Sequence, residues 1–140
     1  VTMIERSPIM ALLLKDAIRR VTQKPVNTPW LIDKLFLYSG DARKLIPSMC
    51  ATSKVDVIYL DPMYPQRNKS ALVKKEMRFL QMLVGKDQDA TELLSVALQY
   101  AAKRVVVKRP RSAPPLQGAT PSHTIESKNT RFDIYITAIR

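Results

Sequence analysis

Strand-like and helix-like segments alternate four times along this chain, and two further strand-like segments follow without a helix between them. β-branched and aromatic runs mark the strands, and apolar residues at helical spacing mark the helices. The alternation predicts a mostly parallel sheet with helices on both faces, and the closing pair predicts one C-terminal antiparallel hairpin strand inserted at an edge of that sheet. The predicted strands cover residues 1–5, 35–39, 55–60, 104–108, 123–127 and 132–138, and the predicted helices cover 8–21, 42–49, 70–84 and 90–101.

Two helix starts carry residues that predict specific caps. Ser7 precedes Pro8, which is typical of an N-cap followed by the first helical residue. Asp89 and Glu92 have the spacing of a capping box, in which the Asp89 side chain would accept a hydrogen bond from the helix backbone. Gly85 is predicted to end the helix that precedes them.

Length and composition indicate one globular domain covering residues 1–140. A chain of 140 residues with 46% hydrophobic residues can bury a core of its own. Its single cysteine, Cys50, excludes an internal disulfide and fits a reducing compartment, so we expect a cytoplasmic protein. No apolar run approaches the roughly 20 residues that span a membrane, and no signal peptide pattern is present.

The net charge of +11 predicts a polyanionic partner, most simply a nucleic acid. Residues 66–111 hold eleven Lys or Arg against four Asp or Glu, so most of the excess follows the third predicted strand. A solvated helix face with a charged loop is the alternative interpretation. The residues predicted to contact phosphates are Lys69, Lys74, Lys75, Arg78, Lys108, Arg109 and Arg111.

The third predicted strand ends in Asp61-Pro62-Met63-Tyr64-Pro65. The two prolines forbid further strand pairing, so they stiffen a loop that holds one carboxylate and one aromatic ring. Asp61 and the Pro62 carbonyl could accept both hydrogens of an exocyclic amine, while Tyr64 could stack on the base that carries it. A proline-rich turn with a stabilising Asp is the structural alternative.

Other polar residues follow the neighbouring strands, and ligands of open parallel sheets bind beyond the carboxyl ends of the strands. Glu5 suits a ribose, whose hydroxyls a carboxylate can accept, but it could equally be a solvated acid before a helix. Asp41 could cap the next helix or accept an adenine amino group. With Lys108-Arg109, four strand ends are predicted to share one sheet edge.

Several kinds of chemistry have no support in the sequence. The chain has one cysteine, Cys50, and one histidine, His123, so neither a Cys/His nucleophile nor a zinc site is expected. We therefore predict no metal. The only glycines are Gly40, Gly85 and Gly118, and they form neither a P-loop nor a GxGxxG pattern.

Five stretches resemble a known family. Residues 61–65 look like the Asp/Asn-Pro-Pro-Tyr/Phe motif of S-adenosylmethionine-dependent amino methyltransferases. Together with residues 69–78, 103–110, 113–116 and 131–135, they resemble the RsmJ (YhiQ) family of bacterial ribosomal RNA methyltransferases, which make N2-methylguanosine in 16S rRNA. The family's aromatic in the loop is usually Phe, and Tyr64 keeps its stacking plane.

The resemblance implies a Rossmann-like class I methyltransferase fold and S-adenosylmethionine (SAM) as cofactor. It implies that Glu5 and Arg6 contact the ribose end of the cofactor, that Asp41 and Ala42 lie by the adenine, and that Asp61 lies between cofactor and target amine. The family's glycine-rich cofactor loop and the strand before it have no counterpart here. We therefore expect an N-terminally truncated, C-terminal portion of the catalytic domain.

The resulting hypothesis is methyl transfer from SAM to the N2 amine of a guanine in 16S rRNA, free or in the small ribosomal subunit. Asp61, Pro62 and Tyr64 are the predicted catalytic residues, which orient the amine and hold the base. Two alternatives remain open from the sequence. One is an adenine-N6 amino methyltransferase acting on DNA or RNA, and the other is a non-enzymatic nucleic-acid-binding domain.

Overall fold

The structure, a computed structural model, describes residues 1–23, 33–63 and 89–138. Within these ranges it contains six strands and three helices. The strands are β1 (Thr2–Glu5), β2 (Phe36–Ser39), β3 (Val55–Leu60), β4 (Ala101–Pro110), β5 (His123–Glu126) and β6 (Thr130–Ile136). The helices are α1 (Pro8–Gln23), α2 (Ala42–Met49) and α3 (Ala90–Tyr100). The helix predicted over 70–84 and its end at Gly85 lie outside the described residues.

Every strand and helix predicted within the described ranges is present. The largest difference is in β4, which begins at Ala101 and ends at Pro110, whereas the sequence predicted residues 104–108. The extra length at its start comes from alanines that follow α3 directly, because Ala101 is both the C-cap of α3 and the first strand residue. Alanine has no strong preference for strands, and Ala101 continues the apolar spacing of α3. The sequence therefore assigned Ala101 to the helix.

The described strands form two sheets. β1 and β2 pair in parallel, and β3, β4, β6 and β5 form a four-stranded sheet in that order. β3 and β4 are parallel, while β6 runs antiparallel to both β4 and β5. One antiparallel strand was therefore predicted correctly, but it lies inside the sheet, and β5 forms the edge.

The core lies between α3 and the middle of the four-stranded sheet. Leu94 and Ala97 on α3 pack against Val105 and Val107 on β4, and all four are almost fully buried. Leu60, the last residue of β3, belongs to the same cluster. This packing fixes the carboxyl ends of β3 and β4 side by side, and those ends carry Asp61 and Lys108.

The two predicted caps have opposite outcomes. Ser7 caps α1 as predicted, with its Oγ accepting the Met10 N–H over 3.4 Å. The capping box at Asp89 is wrong, because the Asp89 side chain makes no hydrogen bond to the backbone of α3. Its carboxylate instead forms ion pairs with Arg6, at 2.7 Å, and with Arg43, at 3.1 Å. Two nearby guanidinium groups compete successfully with a single backbone amide because their hydrogen bonds are charge-assisted.

Candidate active site

Asp61 follows the last residue of β3 and points to the carboxyl end of β4. Its Oδ2 accepts a hydrogen bond from Lys108 Nζ at 2.8 Å. The parallel register pairs Leu60 with Val107, so the residues that follow them, Asp61 and Lys108, lie side by side. Pro62, the next residue in the chain, is buried. Two of the predicted strand-end residues therefore form a direct contact.

The charges of this pair affect one another and a neighbouring ring. The hydrogen bond to Asp61 raises the pKa of Lys108, because the carboxylate stabilises the ammonium form. Partial burial, followed by the Asp61 charge, raises the pKa of Tyr59, two residues earlier on β3. Both Lys108 and Tyr59 consequently keep their protons at neutral pH.

A cavity of about 200 Å³ opens beside the pair. Its lining residues are Asp61, Lys108, Arg109, Pro110, Asn129 and Thr130. This volume lies below the roughly 300–1,000 Å³ of typical small-molecule sites, so it suits one planar base or one phosphate group rather than a nucleoside cofactor. Its position at the carboxyl ends of parallel strands is where such folds bind ligands.

Glu5 ends β1 and is half-buried. One of its carboxylate oxygens accepts the Ser7 N–H at 2.6 Å, and no described residue donates a hydrogen bond to the other. Its backbone carbonyl accepts the Gly40 N–H at 2.9 Å, which joins the end of β1 to the turn after β2. Gly40 has a φ of 153°, which favours glycine, so this turn depends on that residue. The Glu5 carboxylate thus stabilises the turn between β1 and α1, and its second oxygen has no donor among the described residues.

Asp41 is the N-cap of α2 and is bound by Arg43. Its Oδ1 accepts the Arg43 backbone N–H at 2.9 Å, and the guanidinium reaches both oxygens at 2.6–3.1 Å. These hydrogen bonds lower the pKa of Asp41 from 3.8 to about 2. The capping alternative is therefore confirmed. Because three N–H groups of Arg43 take up most of the roughly four acceptor sites of a carboxylate, an adenine amino group at Asp41 remains a prediction.

Arg43 is the residue that the sequence reasoning missed. Besides Asp41, it pairs with Glu92 at 2.5 Å and with Asp89 at 3.1 Å, both at the start of α3. Arg6 also reaches Asp89, so the ends of β1 and β2 are linked to the helix that leads into β4. The only local signal was an arginine two residues after a helix-capping Asp. Its contacts to Asp89 and Glu92 span more than forty residues, and no local pattern encodes them.

Three arginines in β4, directly after it and in β6 bind acceptors within the protein: Arg109, Arg111 and Arg131. Arg109 is 5% exposed and donates a hydrogen bond to the Pro114 carbonyl, which favours a role in holding the loop after β4. Arg111 pairs with Glu126 at 3.0 Å on the surface. Arg131 pairs with the fully buried Asp133 at 2.6 Å and also donates to the Arg111 carbonyl. Of the phosphate contacts predicted at the end of β4 and directly after it, Lys108 and Arg111 remain accessible, but each already has a carboxylate partner.

Five predicted site residues lie outside the described residues: Tyr64, Lys69, Lys74, Lys75 and Arg78. Within the described ranges, no group of three or more His, Cys, Asp or Glu side chains could hold a metal ion. The helices described in those ranges are all too short or too polar to cross a membrane.

The chain is similar to known proteins over nearly its whole length. Residues 1–137 match a family model described as "Putative SAM-dependent methyltransferase". The chain is 51% identical over 137 residues to ribosomal RNA small subunit methyltransferase J of Thioalkalivibrio sulfidiphilus, covering 98% of the chain and 53% of that protein. It is 50% identical over 138 residues to the protein of the same name from Shewanella baltica, covering 99% of the chain and 55% of that protein.

A solved structure is also similar. The crystal structure of a SAM-dependent methyltransferase from Neisseria gonorrhoeae has a TM-score of 0.75 and 39% identity to this chain, covering 98% of it and 55% of the neighbour. The fold is therefore the Rossmann-like methyltransferase fold, as predicted. The chain spans about half the length of the curated relatives that it matches.

Proposed function

The chain belongs to the SAM-dependent methyltransferase family, and from this premise we propose that the protein transfers a methyl group from SAM to the exocyclic N2 amine of a guanine in small-subunit (16S) ribosomal RNA. The observation that carries the proposal is the Asp61 carboxylate at the carboxyl end of β3, beside a cavity sized for one base. The names of the curated relatives support the rRNA substrate. A cytoplasmic location follows from that substrate.

In this proposal, the residues of this chain position the target amine for methyl transfer. Asp61 and the Pro62 carbonyl accept the hydrogens of the amine, and the Asp61 charge stabilises the positive charge that the nitrogen develops. Pro62 is buried and Asp61 is half-exposed, so a fixed backbone carries a carboxylate that substrate can reach. Tyr64 stacks on the guanine, which is unpaired or extruded from its stack. No nucleophile on the protein and no metal ion is required.

The residues at the ends of β1 and β2 suit a nucleoside cofactor. SAM supplies a methyl group that its sulfonium already activates. The oxygen of Glu5 that is not bound to Ser7 can accept a ribose hydroxyl, with Arg6 beside it. The Ala42 N–H is the first amide of α2 and has no intrahelical acceptor, so it can donate to the adenine ring beside Asp41.

The basic residues provide the contacts to RNA. Lys69, Lys74, Lys75 and Arg78 follow the Asp61 loop in sequence, and Arg111 lies on the surface after β4. These side chains grip phosphates without reading sequence. Arg109 is not included, because its side chain is buried against the loop.

Residues 1–140 form the C-terminal portion of a single catalytic domain in this proposal. The β1–β2 pair and the β3–β4 pair belong to separate sheets, which leaves open edges on β1 and β3 among the described residues. A further strand followed by a glycine-rich loop would complete the cofactor site at that position. Cofactor affinity measured with the full-length protein and with residues 1–140 alone tests this part, because we expect much weaker binding by the shorter chain.

The experiment that tests the function combines cofactor binding with substrate analysis. Isothermal titration of the full-length protein with SAM should show saturable binding, and labelled methyl groups should appear in guanines of 16S rRNA, free or in small subunits. The absence of SAM binding would favour a non-enzymatic nucleic-acid-binding domain. Label found in adenine would favour the adenine-N6 alternative.

A further inference from the structure

Two lysine–aspartate pairs join β3 to β4, one near each end of the strands. Lys103 pairs with Asp56 at 3.1 Å near the start, and Lys108 pairs with Asp61 at 2.8 Å at the carboxyl end. The side chains of the first pair are 59% and 67% exposed, and those of the second are 41% and 52% exposed. Ion pairs this exposed contribute little to stability. Stability alone therefore does not distinguish the two pairs.

Their surroundings do distinguish them. The Lys108–Asp61 pair lines the cavity of about 200 Å³, whereas Lys103 and Asp56 do not. The Lys108 ammonium engages only Oδ2 of Asp61, and no described residue donates a hydrogen bond to Oδ1. The two oxygens of the carboxylate are thus placed differently: Oδ2 lies against the Lys108 ammonium on β4, and Oδ1 has no donor among the described residues.

This division matters for an amine that must be held in line with a methyl donor. Asp61 is half-exposed and lies beyond the last strand residue, so its side chain would sample several rotamers without a partner. An acceptor that is already oriented needs no reorganisation when charge develops on the amine. The Lys108 ammonium on Oδ2 provides this orientation and leaves Oδ1 to accept the amine hydrogen.

We infer that Lys108 is a positioning residue for the transfer reaction, because it holds Oδ2 of Asp61 and thereby directs Oδ1 at the target amine. This inference rests on the proposed function and assigns Lys108 a role different from the phosphate contact expected from sequence. The two roles differ in what they change. A positioning residue acts on kcat, whereas a phosphate contact acts on the KM for RNA and on its salt dependence.

The kinetic test uses three variants of the full-length protein. In Lys108→Met we expect kcat to fall about 10- to 100-fold, because a loosened carboxylate loses alignment, while the KM for rRNA stays within about twofold. Lys108→Arg should recover part of the loss, since arginine can donate to the same oxygen. Lys103→Met is the matched control, which removes the same kind of pair from the same two strands, and it should keep kcat within about twofold.

Three results would overturn the inference. An unchanged kcat in Lys108→Met would remove the positioning role, and an increased KM with a smaller salt dependence would assign Lys108 to phosphate instead. An equal loss of kcat in Lys103→Met would indicate a general effect on the strand pair. A wild-type protein that methylates no guanine would refute the proposed function itself, which is a distinct outcome.

A second readout is independent of activity. The pKa of Lys108 can be followed by NMR titration of its side-chain methylene signals in the wild type and in Asp61→Asn. Because the hydrogen bond to the Asp61 carboxylate raises the pKa of Lys108, we expect this pKa to decrease in Asp61→Asn. The same pKa in both proteins would show that the pair does not form in solution and would overturn the inference.

Discussion

Asp41 gives the sharpest stability prediction, because hydrogen bonds from Arg43 lower the pKa of its carboxyl group and its partners are defined. Asp41→Asn keeps an oxygen that can cap α2 through the Arg43 N–H but removes the charge that binds the Arg43 guanidinium. Asparagine is a good N-cap, so the variant isolates the ion pair from the cap. The substitution therefore tests whether the Asp41–Arg43 pair stabilises the fold.

The magnitude follows from the pKa. A decrease from 3.8 to about 2 corresponds to roughly 2 kcal/mol, at about 1.4 kcal/mol for each tenfold change in proton affinity. The Asp41 side chain is 22% exposed, so solvent screening reduces this value, and we expect the variant to lose about 1–2 kcal/mol at pH 7. Since the folded pKa is the lower one, this stabilisation is present above about pH 4 and is lost as the pH falls towards 2.

The assay is urea denaturation of the wild type and Asp41→Asn between pH 7 and pH 2. The difference in unfolding free energy should be largest at neutral pH and should shrink through the acid range. Asp16→Asn is the matched control, because Asp16 pairs with Arg19 and Arg20 on the exposed face of α1, and it should lose less. A difference for Asp41→Asn that is absent at pH 7, or that does not depend on pH, would refute the reasoning.

Three further predictions concern other parts of the molecule. Asp133→Ala should lower the unfolding free energy by about 3–5 kcal/mol in urea denaturation, because it leaves the Arg131 guanidinium without its buried partner. The double variant Asp133→Leu with Arg131→Met should lower it less, and an equal loss would contradict this account. Gly40→Ala should lower the unfolding free energy by about 1 kcal/mol, because a φ of 153° is unfavourable for alanine and the new Cβ would lie 3.0 Å from the Leu45 side chain. An unchanged unfolding free energy would contradict the turn described here. Lys74→Gln with Lys75→Gln should weaken RNA binding and reduce the slope of log affinity against log salt by roughly 1.5, measured by fluorescence anisotropy, and an unchanged slope would exclude both lysines as phosphate contacts.

The sequence predicted the fold well because its signals were local. The run of β-branched residues before Asp61 and the apolar stripes of α1 and α3 each specify one element, and their order specifies the sheet type. The start of β4 was missed because alanines continue the pattern of α3. The position of β6 inside the sheet was also missed, since strand order depends on pairing between distant residues.

The candidate site was predictable only in part, for a related reason. Strand ends meet at one edge, so the contact between the Asp61 and Lys108 positions follows from topology. Long-range ion pairs do not follow from local sequence, and Arg43, Asp89 and Glu92 came together only in the folded chain. The burial of Arg109 does not follow from local sequence either, because the sequence alone predicts a cation on the surface at this position.

The central claim is that Asp61 orients a guanine amine for methylation, and nucleoside analysis of modified rRNA tests it most directly. 16S rRNA is incubated with SAM and either the wild type or Asp61→Ala, digested to nucleosides and analysed by mass spectrometry. We expect N2-methylguanosine from the wild type and at least about 100-fold slower formation with Asp61→Ala, because the variant removes the oriented acceptor. N2-methylguanosine formed by Asp61→Ala at a rate near that of the wild type would contradict the claim.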